Sequence, residues 1–196
     1  MVAYLGIFWV ILSYLIGSFL PSYVFVKIIK GKDIRELGDK NPGSFNAGKV
    51  LGPKWSIITA VIDIGKGFLM PLVPLLMRMP HYVLIASLSG IAVVLGHVFP
   101  VYLGFRGGLA IAPTIGTLLA LVYREMIWVL LIWLVLLLIV LIVKQKEKRG
   151  IAQFIAFLFL IPFEFMYKEN ILLVISTSLI LFHFYLRRFI LKKTIF

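Results

Sequence analysis

WSIITAVIDIGKGFLMPLVPLL, residues 55–76, is apolar from end to end except for Asp63 and Lys66 near its middle. Its length fits the roughly 20 residues that a helix needs to cross a bilayer core. No period-two alternation runs through it, so a helix rather than a barrel strand is expected. A charge inside such a span costs at least about 2.5–3.5 kcal/mol. Asp63 and Lys66 stand three residues apart and share one helix face. They are expected to face a helical bundle and to pair, either as a lock on the bundle or as part of a site.

The rest of the 196-residue chain repeats this pattern. Hydrophobic residues make up 62% of it and charged residues 14%, against roughly 25% charged in a soluble domain. The fold expected is an all-α integral membrane protein of about seven transmembrane helices, with residues 1–196 forming a single polytopic domain. The spans are Tyr4–Ile29, Trp55–Leu76, Tyr82–Val101, Leu109–Val122, Ile127–Val143, Ile151–Pro162 and Ile171–Leu186. The fourth and sixth are short, and a five-span fold without them is the alternative. The apolar N-terminus has no basic leader and no small-residue cleavage site, so it reads as a retained helix.

The net charge of +12 raises the question of nucleic acid, but inner loops of membrane proteins collect Lys and Arg, and no nucleic-acid partner is expected. With the N-terminus outside and the C-terminus cytoplasmic, sixteen of the 20 Lys and Arg fall on the inner side. Three fall outside, and Lys66 is intramembrane. The cytoplasmic loops are then near residues 30–54, 102–108, 144–150 and 187–196. There is no cysteine, hence no disulfide frame, and no Cys/His cluster suggests a metal site.

Two polar blocks fall on that inner side. GDKNPGSFNAGKVLG, residues 38–52, reads either as a solvated connector or as an anion-binding nest. Its glycines permit close backbone approach, Asn41 and Asn46 offer amides, and Lys40 and Lys49 offer charge. GHVFPVYLGFRGG, residues 96–108, places His97 at a span end and Pro100 where the helix must break. Arg106, Gly107 and Gly108 then lead into the next helix, a pattern suited to a phosphate or carboxylate, though also to a short basic turn. His183 lies at the inner end of the last span beside Arg187 and Arg188, and His81 is given no role. A cavity of N–H donors and cations suits phosphate-bearing substrates, with positioning and electrostatics carrying any chemistry.

These blocks, in this order, resemble the bacterial acyl-phosphate-dependent glycerol-3-phosphate acyltransferases over nearly the whole chain. YLIGS (Tyr14–Ser18) and Lys27 open the match. Asp33, Arg35, Gly38, Asn41, Gly43, Asn46 and Gly52 follow, then Asp63, Lys66 and Gly67. Gly96, His97, Pro100, Val101, Phe105, Gly107 and Gly108 complete it. The resemblance implies a seven-helix enzyme of the cell inner membrane with a cytoplasmic active face. It would move a fatty acyl group from acyl-phosphate to the 1-hydroxyl of glycerol 3-phosphate, giving lysophosphatidic acid for phospholipid synthesis. No cofactor is implied. The partners implied are the two substrates and membrane lipids; the oligomeric state stays open, a monomer being compatible. The catalytic candidates are Asn46, His97 and His183. The substrate- and phosphate-binding candidates are Asn41, Gly43, Ser44, Lys49, Asp63, Lys66, Arg106, Gly107 and Gly108.

The chain departs from the family pattern at several positions. Lys49 replaces an Arg and Arg106 a Lys, both keeping the charge. Asp39 replaces a Ser and Phe45 a Thr. Leu109 and Ala110 replace the Lys and Gly that follow the Gly pair, and Leu186 replaces an Asn. One lost charged hydrogen bond is worth about 1.5–3 kcal/mol. A catalytically degenerate relative that binds a phosphate, a lipid or a partner protein is therefore the second reading.

Overall fold

A computed structural model of the protein describes residues 2–121 and Val135. Residues 2–121 belong to one compact unit, Met1–Leu121. Six α-helices follow in chain order: α1 Val2–Ser18, α2 Pro21–Lys30, α3 Ser44–Leu51, α4 Pro53–Leu76, α5 Tyr82–Val98 and α6 Ile111–Leu121. Short 3₁₀ turns at Ile34–Glu36 and Val101–Leu103 complete the described residues, which contain no strand. Apart from Val135 in the fifth, the fifth to seventh expected spans lie outside the described residues, as do His183, Leu186 and the loops 144–150 and 187–196.

Among the described residues, three stretches are long and apolar enough to cross a membrane: Tyr4–Lys30, Pro53–Leu76 and Tyr82–Leu103. The expected first span is not continuous. α1 stops at Ser18 and α2 starts at Pro21. Proline has no N–H, so Pro21 leaves the carbonyl four residues earlier, that of Gly17, without a helical donor. Lys66 Nζ supplies one at 3.0 Å and also reaches the Phe19 carbonyl at 2.7 Å. Two more prolines lie inside α4, and each repeats the pattern. Pro71 frees the Gly67 carbonyl, which accepts from Thr117 Oγ1 at 3.1 Å. Pro74 frees the Met70 carbonyl, which accepts from Trp9 Nε1 at 2.8 Å. Broken backbone inside a membrane persists where neighbouring side chains satisfy it, and here they tie α1, α4 and α6 together.

Glycines set the spacing of two helix pairs. A Cβ at Gly17 would overlap the Val93 carbonyl, and one at Gly96 would overlap that of Tyr14, so α1 and α5 meet backbone to backbone. Gly67 faces the Pro113 carbonyl and Gly116 that of Ile64, which does the same for α4 and α6. In lipid there is little hydrophobic drive between helices, and small residues that allow close packing replace it.

The expected polar connector is more ordered than its turn residues suggested. Residues 44–51 form α3, and Val26, Ile34 and Ala47 make a small core beneath it with Tyr23, Leu37, Val50 and Leu51 packed around. The apolar positions of this segment are few and spaced over two short elements, so no helical period stands out. A one-residue hinge at Gly52, with φ of 102°, turns the chain from α3 into α4.

Candidate functional site

The intramembrane pair of the sequence meets a third group in the structure. Lys66 Nζ lies 2.9 Å from Asp63 Oδ1, an ion-pair contact whose angle falls outside hydrogen-bond geometry. His97, from the end of α5, brings Nδ1 to 3.0 Å from Lys66 Nζ and 3.4 Å from Asp63 Oδ1. All three are buried, at 6%, 1% and 2% exposure for Lys66, Asp63 and His97. A buried charge survives only when paired and hydrogen-bonded. Here Asp63 supplies the counter-charge, and the Gly17 and Phe19 carbonyls take two of the three ammonium protons.

Asp63 and His97 line a cavity of about 180 Å³. Its other walls come from the polar loop, through Asn41, Gly43, Ser44 and Phe45, and from Leu109, Ala110 and Ile111 at the start of α6. The two sequence blocks and the intramembrane pair therefore converge on one space. α3 begins at its rim, with Gly43 as the capping residue and Ser44 as the first helical one. The free N–H groups of that first turn and the Asn41 amide favour an anion there.

The other candidates are placed differently. Asn46 is 1% exposed and spends its amide inside the loop. It donates to the carbonyls of Ile34 and Leu37 at 3.2 and 2.8 Å and accepts from the Asp39 N–H at 2.8 Å. Its geometry holds the loop in shape, and it does not line the cavity. Lys49 points away from the cavity into a groove shared with Lys30 and Lys32, where it closes a 2.6 Å ion pair with Asp39. Gly107 and Gly108, expected with Arg106 to suit a phosphate or carboxylate, turn their N–H groups inward, where they donate to the carbonyls of Val98 and His97, at 3.1 and 3.0 Å. What the pair supplies instead is room. A Cβ on Gly108 would crowd the His97 ring, and one on Gly107 would overlap the His97 carbonyl. Arg106 is exposed at the mouth of this turn. His183 lies outside the described residues.

Two residues outside the candidate set join the loops. Asp33 accepts from Arg35 Nε and Nη2, at 3.0 and 2.6 Å, and from its backbone N–H at 2.9 Å. Arg35 Nη1 then crosses to the Leu103 carbonyl at 2.9 Å, binding the first polar block to the second. The guanidinium holds the Asp33 carboxyl below its ordinary range. The sequence signal was present in the D-x-R spacing, but nothing in it pointed to Leu103, 68 residues on.

The chain matches the glycerol-3-phosphate acyltransferase family over residues 7–192. It belongs to that family. The acyltransferase is 34% identical to the glycerol-3-phosphate acyltransferase of Bacillus subtilis over 186 residues, covering 95% of this chain and 92% of the other. It is 44% identical to glycerol-3-phosphate acyltransferase 2 of Lactobacillus acidophilus over 110 residues, a match that spans about half of each chain, 56% and 51%. Its fold is similar to the crystal structure of PlsY, an integral membrane glycerol 3-phosphate acyltransferase, in the glycerol 3-phosphate form. The TM-score is 0.80 at 27% identity, over 97% of this chain and 92% of that one. The acyltransferase places Leu109 on the cavity wall and Asp39 against Lys49, two of the positions where it departs from the family pattern.

Proposed function

We propose that this membrane acyltransferase moves a fatty acyl group from acyl-phosphate to the 1-hydroxyl of glycerol 3-phosphate. The products are lysophosphatidic acid, for phospholipid synthesis, and inorganic phosphate. The acceptor oxygen forms a bond to the acyl carbon, the acyl carbon–phosphate oxygen bond breaks, and the phosphate leaves with the electron pair and takes up the proton of the acceptor hydroxyl. The observation that carries the reading is the cavity itself, where an anion-favouring helix start and the Asn41 amide face the buried Asp63–Lys66–His97 cluster. In this reading Asn41, Gly43 and Ser44 hold a phosphate group, and His97 acts on the reacting centre. Gly107 and Gly108 give His97 its space, and Asp63 and Lys66 hold it in place. Lys49 and Arg106 add positive charge to the loops around the site, and His183 completes the catalytic set from the last span.

The same reading gives the chain seven spans in one polytopic domain, N-terminus outside, with the site opening to the cytoplasm from the cell inner membrane. The charge asymmetry supports this, because the lysines of the α2 end and of α3 lie on the side of the loops that form the site.

The test is phosphate release by purified protein given palmitoyl-phosphate, with and without glycerol 3-phosphate. Asn41→Ala is the control, since the Asn41 side chain lines the cavity and makes no hydrogen bond among the described residues. Release that depends on glycerol 3-phosphate and falls in the control supports the reading. Release without that dependence points to another acceptor or to hydrolysis. Absence of release favours a binding protein, the outcome that Leu109 and the Asp39–Lys49 pair would explain.

A further inference from the structure

We propose that Lys66 fixes the proton of His97 on Nε2, so that the imidazole meets the cavity as a hydrogen-bond donor and not as a base. The argument is a count of protons. A lysine ammonium has three donors and no acceptor. Among the described residues, three acceptors stand around Lys66 Nζ in hydrogen-bond contact: the Gly17 carbonyl at 3.0 Å, the Phe19 carbonyl at 2.7 Å and His97 Nδ1 at 3.0 Å. A proton on Nδ1 would face an ammonium proton across that last contact. Nδ1 must therefore accept, and a neutral imidazole that accepts at Nδ1 carries its proton on Nε2.

Charge leads to the same arrangement. With Asp63 ionised, Lys66 charged and His97 neutral, the buried cluster has no net charge, the state that costs least inside a membrane. An imidazolium beside a charged Lys66 would leave a net positive cluster. Moving the proton from Lys66 to His97 would restore neutrality, but a free lysine amine is about four orders of magnitude more basic than a free imidazole. Asp63 Oδ1 also lies closer to Lys66 Nζ than to His97 Nδ1, 2.9 against 3.4 Å.

The Nε2 edge is the one that matters for a ligand. His97 lines the cavity, and a Cβ on Gly108 would come within 2.7 Å of Nε2, so that edge lies against Gly108 at the head of α6. An Nε2–H there stabilises negative charge on a phosphate or on an acyl carbonyl oxygen. It has no lone pair with which to take a proton from an acceptor hydroxyl. Lys66 is thus a positioning residue acting through His97. The proton position stands apart from the acyl-transfer reading, and the use made of the donor rests on that reading.

The experiment is nitrogen NMR of the full chain labelled with ¹⁵N-histidine, in lipid nanodiscs at neutral pH. The sequence has 3 histidines, so spectra of His81→Gln and His183→Gln assign the His97 signals. The expected result is a pyridine-like Nδ1 and a pyrrole-like Nε2 for His97. A pyridine-like Nε2, or two pyrrole-like nitrogens, overturns the proposal in the unaltered protein, where misfolding is no issue. A second arm uses activity. Removing a preorganised donor costs about 10²–10³-fold in rate. His97→Gln, whose amide restores an N–H near the Nε2 position, is expected to recover at least tenfold over His97→Ala, roughly half of that loss on a logarithmic scale. Equal loss in both overturns the donor role. The expected spectrum in a protein without acyl transfer would leave the proton position intact and remove the functional reading instead.

Discussion

Lys66 Nζ donates at 3.0 Å to the carbonyl of Gly17, the group that Pro21 leaves without a helical partner. One ammonium thus closes a break in the first span, balances Asp63 and contacts His97. Truncating it to Lys66→Met strands a buried carboxylate and two backbone carbonyls. Breaking a buried ion pair costs about 3–5 kcal/mol. The double variant Asp63→Leu, Lys66→Met removes the stranded charge but not the stranded carbonyls. It is expected to be more stable than Lys66→Met and less stable than the parent. Thermal unfolding of the three proteins in one detergent measures this. Equal stability of the single and double variants would show that the pair is not coupled.

The apolar stretches Tyr4–Lys30, Pro53–Leu76 and Tyr82–Leu103 were legible in the sequence because apolar length is a local signal, and the ion pair was legible because Asp63 and Lys66 share a helix face. The break at Pro21 and the role of Lys66 in closing it were not. The partner carbonyl lies 49 residues away, and only the packing of α1 on α4 brings it near. The convergence of His97 with Asp63 was outlined by the placing of both blocks on one side. Its geometry depends on the turn in which Gly107 and Gly108 bind back onto the end of α5. Asn46 and Lys49 read alike as polar loop residues, yet α3 sends one inward to hold the loop and the other outward to Asp39. That difference is set by a helix which the sequence did not announce.

The Asp33–Arg35 clamp gives a pH prediction. Arg35 holds the Asp33 carboxyl below its ordinary value, so the carboxylate form is favoured in the folded state. The stabilisation is complete above the unfolded value of about 4 and is lost only as the pH falls through the lower, folded value. The clamp is therefore expected to leave thermal stability flat from neutral to mildly acidic pH. Asp33→Asn should lower stability in that whole range by roughly 1 kcal/mol, a figure set by partial exposure and screening. The gap between the two proteins should close below the ordinary aspartate range. A gap that widens on acidification would reverse the sign assigned here.

Asn46 is expected to affect activity through the loop. Asn46→Ala leaves the Asp39 N–H without its acceptor and takes one donor each from the Ile34 and Leu37 carbonyls, which keep the N–H groups of Leu37 and Lys40. Each buried group left unsatisfied costs about 1–3 kcal/mol. A fall in thermal stability should accompany any loss of phosphate release. Full stability with lost activity would instead give Asn46 a direct part in the chemistry.

Two neighbouring glycines of α4 separate packing from helix propensity. A Cβ at Gly67 would overlap the Pro113 carbonyl, whereas a Cβ at Gly65 meets nothing within 4 Å among the described residues. Gly67→Ala must push α6 away, at about 1–3 kcal/mol for overpacking. Gly65→Ala should be neutral or stabilising by up to about 1 kcal/mol, since alanine is the better helix former. Melting temperatures of the two variants decide it, and similar values would mean that α4 and α6 are not in contact at Gly67.

Asp39 gives the prediction that bears most on what this chain accepts. Its carboxylate pairs with Lys49 at 2.6 Å, and both side chains are about half exposed. Such a pair contributes roughly 0–1 kcal/mol to stability, so Asp39→Asn should unfold at nearly the same temperature as the parent. Its effect on an incoming anion is another matter. The carboxylate offsets the positive charge of the loop and occupies a lysine that would otherwise attract a phosphate. Removing it is expected to lower the KM for glycerol 3-phosphate about two- to fivefold, the equivalent of roughly 0.5–1 kcal/mol, with kcat unchanged. The gain should shrink as salt is raised, because exposed charges are screened within about 10 Å at 0.1 M ionic strength. Steady-state kinetics at low and high salt read both effects together. A change in kcat with constant KM would place Asp39 in the reaction itself, and a salt-independent change would mean that its influence is steric rather than electrostatic.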